Sequence, residues 1–147
     1  MKILLDTNLL VRAAISPQGS AREILRCIES NERHVLVVSP YLFSELADVL
    51  RRDRIRARFP LTGEELRSYC EHLANVGEEV SPKPLGPVIT DPKDQAVIDA
   101  AVAGEVDVLC TSDKHFYKDE VIAFCAAHGI QIMNDVDLLR LLRGRQE

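Results

Sequence analysis

Ile3-Leu4-Leu5-Asp6-Thr7-Asn8 decides the fold. Three apolar residues are too few for a helix and enough for a buried strand, and an acid stops the run at once. Three more runs read the same way: Val35-Leu36-Val37-Val38, closed by Ser39-Pro40; Val106 to Cys110; and Ile130-Gln131-Ile132, opened by Gly129. A weaker fifth strand lies near Glu79-Val80-Ser81. Between the runs the apolar spacing turns helical. Ile24, Leu25 and Ile28 share one face, and Leu42, Leu46, Val49 and Leu50 share another. Further helical segments run over 64–76, 95–103, 120–127 and 136–142. Strands alternating with helices of this length predict βαβ units, a parallel sheet and helices on both of its faces. The stretch 77–92 carries Pro82, Pro84, Pro87, Pro92 and Gly86, and is expected to be a loop. Neither a repeat nor a domain boundary is visible, so residues 1–147 are expected to form one domain.

Composition narrows the function. The 147 residues carry 23 acids against 18 bases, a formal charge of −5. Net acidity argues against a protein that coats DNA, yet a local basic stripe can still meet nucleic acid. The opening apolar run is too short for a secretory signal, and no run approaches the roughly 18 apolar residues of a membrane span. Cys27, Cys70, Cys110 and Cys125 show no zinc-ligand spacing. They are expected to be reduced thiols in a cytoplasmic protein without membrane contact. A P-loop and a dinucleotide fingerprint are both missing from the sequence.

The informative residues are acids. Asp6 ends the first strand and Asp113 follows the third, in Leu109-Cys110-Thr111-Ser112-Asp113. In an open parallel sheet, ligands bind beyond the carboxyl ends of the strands. Each aspartate also suits a helix N-cap. Glu45 projects with Tyr41, Leu42 and Val49 on the apolar side of its helix, where a carboxylate needs a cation or a metal. Asp94 shares a face with Val97, Ile98 and Ala101, while Asp91-Pro92-Lys93-Asp94 also reads as a capped helix start. Carboxylates gathered in one cleft repel unless cations bind, and oxygen-only ligands favour Mg²⁺ or Mn²⁺. Such an ion suits phosphodiester hydrolysis.

These residues resemble the PIN domain family. The opening Ile3-Leu4-Leu5-Asp6-Thr7-Asn8, then Ser44-Glu45-Leu46, then Asp94 leading into Val97-Ile98-Asp99-Ala100-Ala101, then Thr111-Ser112-Asp113 follow the family's order and spacing across the chain. The resemblance implies a three-layer α/β/α sandwich with a mainly parallel sheet of about five strands. It implies an endoribonuclease dependent on Mg²⁺ or Mn²⁺. It also implies the toxin of a type II toxin–antitoxin pair, VapC-like, dimeric and silenced by an antitoxin protein. Carried over by position, Asp6, Glu45, Asp94 and Asp113 match the catalytic acids, with Asp6, Asp94 and Asp113 on the metal and Glu45 ligating or orienting the water. Asn8 and Thr111 match supporting polar positions, and Asp91 is an additional nearby acid.

The densest basic segment, Arg51-Arg52-Asp53-Arg54-Ile55-Arg56-Ala57-Arg58, holds five Arg against one Asp just past the Glu45 helix. Arg51, Arg52, Arg54, Arg56 and Arg58 are candidates for the RNA backbone, since the guanidinium fork pairs with phosphate. A solvated helix end accounts for them equally well. Lys114 and His115 follow Asp113 and are candidates to face the substrate, His115 as a general base, although a metal-bound water needs no separate His. Two rival functions stay open. One is a non-catalytic PIN-like module that binds RNA or protein, for which a lost acid would be the mark. The other is a phosphotransfer receiver domain, which wants an acidic pair near the first strand that this chain lacks.

Overall fold

A computed structural model describes residues 1–146. Five short strands, β1 (Lys2–Leu5), β2 (Val35–Val38), β3 (Gly77–Glu79), β4 (Val108–Cys110) and β5 (Gln131–Met133), form one sheet in the order β3-β2-β1-β4-β5. All four pairings are parallel. The helices are α1 (Thr7–Ile15), α2 (Ser20–Glu29), α3 (Pro40–Leu50), α4 (Asp53–Arg58), α5 (Gly63–Val76), α6 (Pro92–Ala103), α7 (Asp119–Ala127) and α8 (Asp135–Gln146), with a 3₁₀ turn at Lys114–Tyr117.

Strand alternation sorts the core into two layers. Ile3 and Leu5, Leu36 and Val38, and Val108 and Cys110 face one side, and pack with residues of α1, α2, α3, α5 and α8. Leu4, Val37 and Leu109 face the other, with Val97, Ile98 and Ala101 of α6 and Val121 and Cys125 of α7. A period of two on strands buried on both faces produces this division. The result is the α/β/α sandwich with five parallel strands. On the first side, Arg12 of α1 and Ser20 of α2 both bond Asp135 at the start of α8 (2.8 and 2.5 Å).

The strands and helices depart from the sequence expectation chiefly at β4, β3 and α1. The third strand begins at Val108: the Val106 N–H still donates to the Ala101 carbonyl of α6 (3.1 Å), and the Asp107 N–H makes the first contact with β1, at the Lys2 carbonyl (2.8 Å). The edge strand β3 occupies Gly77–Glu79, so the irregular stretch is 80–91 and the strand lies two residues earlier than its apolar centre suggested. Gly77 permits this: a Cβ there would stand 2.7 Å from the Leu73 carbonyl, so α5 can run directly into the sheet. Helix α1 was not visible in the apolar spacing, since it starts on the residue after Asp6 with no linker. At the other end, Gly129 takes φ +75° in the turn from α7 to β5.

Candidate active site

The strand order reverses at β1, whose neighbours are β2 on one side and β4 on the other. A crevice opens at the carboxyl ends of β1 and β4, the position where such sheets hold ligands. The Asp6 N–H donates to the Cys110 carbonyl (3.0 Å) and extends the β1–β4 ladder by one rung. That bond sets Asp6 directly beside the exit of β4.

Thr111 is the next residue on β4 and is fully buried. Its N–H donates to the Met133 carbonyl (3.0 Å), which carries the ladder on to β5. Its hydroxyl donates to Asp6 Oδ2 (2.8 Å) and accepts the Asp113 N–H (3.1 Å). One side chain thus locks two of the candidate acids. The other Asp6 oxygen, Oδ1, accepts from the Thr7 N–H (2.7 Å) at the start of α1. Asp113 caps the 3₁₀ turn by accepting the His115 N–H (2.9 Å). That turn is anchored by Phe116, fully buried in the α6–α7 layer, and by the Tyr117 hydroxyl, which donates to the Thr111 carbonyl (2.7 Å).

Two helix starts supply the remaining acids. Ser39 caps α3 by accepting the Leu42 N–H (3.2 Å), with Pro40 at the first helical position. One helical face then carries Tyr41, Glu45 and Val49 into the cleft. Asp91 caps α6 by accepting the Lys93 N–H (2.9 Å), again with Pro in the first turn, and this start sets Asp94 toward β4. The capping role read for Asp91 and the cleft position of Asp94 therefore hold together.

Asp6, Asn8, Glu45, Asp91, Asp94 and Asp113 line one cleft of about 240 Å³. Its cations are Lys93, 3.7 Å from Glu45 Oε1, and Arg52. Asn8 is exposed at the rim, beside the buried Thr7. Of the five arginines in 51–58, Arg52 is the one that lines the cleft; Arg51, Arg54, Arg56 and Arg58 are exposed outside it. Tyr41 and Lys93 also line the cleft, and His115 stands beside it. Lys93 and Tyr41 sat inside quoted motifs without a role. The Nδ1 of His115, the candidate general base, reaches Asp94 Oδ2 (3.3 Å) and Asp113 Oδ1 (3.5 Å).

The electrostatics follow from burial and crowding. Burial pushes the Asp6 carboxyl above the usual aspartate value, and the charges of Asp94 and Asp113 push it further, against the bonds from Thr111 and Thr7. Asp94 is raised first by burial and next by Asp113, with His115 pulling the other way. Burial and the field of Glu45, Asp91 and Asp94 raise the Tyr41 phenol. Burial leads each shift, and the crowded negative charge that adds to it is what a cation would relieve. Asp94, Asp113 and His115 each offer a ligand atom, all within 4.8 Å of one another. Asp6 faces the same cleft from outside this tightest group. A donor set dominated by carboxylate oxygen fits a hard divalent cation.

Known proteins agree with this architecture. The crystal structure of VapBC2 from Rickettsia felis bound to a DNA fragment from their promoter superposes with a TM-score of 0.61, over 91% of this chain and 98% of that one. At 17% identity that likeness speaks for the fold. No curated protein matches the chain. A family model described as a PIN domain matches residues 2–115, a segment that runs from β1 through His115 and contains all four candidate acids. The chain belongs to the PIN domain family.

Proposed function

We propose that this protein is a Mg²⁺- or Mn²⁺-dependent endoribonuclease, acting as a single domain over residues 1–147. One observation carries the proposal: acids from the end of β1, from α3, from the start of α6 and from the exit of β4 converge in one cleft at the switch point of the sheet. Asp6, Asp94 and Asp113 hold the cation, and His115 stands within reach of the latter two. When bound, the ion supplies an acidified water and charge neutralisation at the phosphate. The protein's own groups do the rest. Thr111 fixes the lone-pair directions of Asp6 and the backbone of Asp113. Glu45, steadied by Lys93, orients the attacking water from the α3 side. Lys93 and Arg52 bring positive charge to a cleft that a polyanion would otherwise avoid.

The role in the cell is that of a toxin. The structural neighbour bears the name VapBC2 and is bound to promoter DNA. On this proposal the chain pairs with an antitoxin protein, works as a homodimer and acts on RNA in the cytoplasm. Among the described residues no helix is long and apolar enough to cross a membrane.

The test is incubation of purified protein with a mixed RNA pool and Mn²⁺, beside an EDTA control and an Asp6→Asn control. Cleavage lost in both controls is the expected result. Cleavage that survives EDTA, or that Asp6→Asn matches, overturns the assignment. If well-folded wild type leaves the pool intact, the melting temperature decides between a narrow target and a binding module. A rise with Mn²⁺ keeps the metal site, since a ligand of the folded state stabilises it. No rise removes it.

A further inference from the structure

The irregular stretch 80–91 is tied down. The N–H groups of Val88 and Ile89 both donate to Gln95 Oε1 (2.7 and 3.2 Å). Gln95 Nε2 in turn donates to Asp99 Oδ1 (2.9 Å), which the Leu85 N–H also approaches (3.5 Å). Two side chains on one face of α6 therefore hold a segment that makes no ladder of its own. The consequence is a fixed wall at Ile89 and Thr90. That wall closes a second pocket, of about 420 Å³, lined by Ile89, Thr90, Asp91, His115 and Lys118. Asp91 also lines the acidic cleft, and His115 reaches from the pocket to Asp94 and Asp113, so the two cavities adjoin.

Their chemistry differs. The cleft carries five carboxylates, whereas the pocket carries one, the shared Asp91, beside an apolar side chain, an imidazole ring, a hydroxyl and an ammonium group. Its volume lies within the roughly 300–1,000 Å³ typical of small-ligand sites. An imidazole face stacks with a nucleobase, and a lysine meets a phosphate as a point charge. Arg52 stands in the cleft lining, contributed by the α3–α4 junction, and Lys118 in the pocket lining, at the start of α7.

We propose that single-stranded RNA crosses the acidic cleft between Arg52 and Lys118, and that the nucleotide adjoining the scissile phosphate sits in the pocket of Ile89, Thr90, His115 and Lys118. The inference rests on the ribonuclease function above. It adds a nucleotide subsite, and it moves the main phosphate contact from the exposed arginines of α4 to Lys118.

The experiment measures fluorescence anisotropy of a labelled single-stranded RNA hexamer against Asp6→Asn protein with Mn²⁺, a background chosen to keep the RNA intact. Lys118→Gln and Arg67→Gln are added to it separately. Both side chains are exposed, and Arg67 on α5 lines neither cavity. Lys118→Gln is expected to weaken binding about five- to tenfold and to reduce the salt slope by about 0.7, one phosphate contact on a single strand. Arg67→Gln is expected to stay within about twofold. Equal binding and slope for Lys118→Gln and its background overturn the subsite, as does an equal loss in both variants. The two ideas fail separately: wild type that cleaves RNA while Lys118→Gln changes nothing loses the subsite alone, and wild type that neither cleaves nor binds RNA loses both.

Discussion

Replacing Thr111 by Val keeps the shape of the side chain and deletes its oxygen. The oxygen makes two bonds in a fully buried place, to Asp6 Oδ2 at 2.8 Å and from the Asp113 N–H at 3.1 Å. A hydrogen bond to a charged group contributes about 1.5–3 kcal/mol, and a buried N–H left without a partner costs about 1–3 kcal/mol. Asp113 is only partly buried, so water recovers much of the second term. The loss should be about 2–3 kcal/mol, a fall of roughly 5–10 °C in melting temperature for a chain of this size. Thr111→Ser keeps the oxygen and deletes a buried methyl, for about 1 kcal/mol. A second readout separates positioning from packing. Groups that orient metal ligands typically account for 10–100-fold in metal affinity. The Mn²⁺ midpoint, followed by thermal shift, should move by that factor in the Val variant and by under threefold in the Ser variant. If Val and Ser fall equally in stability and leave the Mn²⁺ midpoint alone, the hydroxyl is not the link between β4 and the acids.

Asp94→Asn should stabilise the protein in EDTA while abolishing the Mn²⁺-induced shift. With ligand atoms of Asp94 and Asp113 no more than 4.8 Å apart, the repulsion removed is about 1 kcal/mol in a water-like medium and about 3 kcal/mol at an effective dielectric of 20. The half-open cleft favours the lower figure, and a thermal melt that falls instead would mean the His115 contact outweighs the crowding. The sign with pH follows from the raised Asp94 carboxyl: the penalty is absent below the unfolded value of 3.8 and grows as pH rises through the folded one, so wild type and Asp94→Asn should converge in acid. Asp135 behaves oppositely. Burial raises its carboxyl, but the bonds from Ser20 and Arg12 and the Arg12 charge bring it below the usual value. Its contribution is present above pH 3.8 and is lost as pH falls through the folded value, so Asp135→Asn should cost about 1–2 kcal/mol at neutral pH and progressively less in acid urea melts. Gly129→Ala, at φ +75°, should cost about 1 kcal/mol with RNA cleavage unchanged.

The centre of the sheet was legible because β1, β2 and β4 are buried on both faces. Leu4 packs under α6 while Ile3 and Leu5 pack under α1 and α2, so the run has no polar break and cannot be mistaken for a surface helix. The same logic hid α1. Asp6 ends the strand and starts the helix on consecutive residues, and the helix that follows, Thr7–Ile15, buries Leu9, Leu10, Val11 and Ala13 without a clean stripe. Edge strand β3 was misplaced by two residues because Gly77-Glu78-Glu79 has no apolar signature at all. What makes it a strand is the exposed backbone of β2 beside it, a tertiary fact that no local pattern carries.

The acids were legible for a related reason. A carboxylate at the end of a buried strand or on the inner face of a helix violates local patterning, and such violations collect where function overrides stability. Lys93 and His115 violate nothing. A lysine in the first turn of a helix and a histidine in a turn are ordinary, so only the folded chain brings Lys93 to Glu45 and His115 to Asp94 and Asp113. The arginine run presents the opposite case. Five like charges in eight residues stand out in the sequence, yet Arg54, Arg56 and Arg58 lie on the short exposed helix α4, Arg51 caps the end of α3, and of the five Arg52 alone lines the cleft. A cation fixed beside the cleft is therefore the better candidate for a phosphate contact than the charge density of the run. By that reasoning Arg52→Gln should weaken RNA binding severalfold, whereas Arg54→Gln and Arg56→Gln together should change it by under twofold once salt reaches about 0.15 M and screening removes distant charges. A larger loss from the pair on α4 than from Arg52 would return the RNA path to that helix.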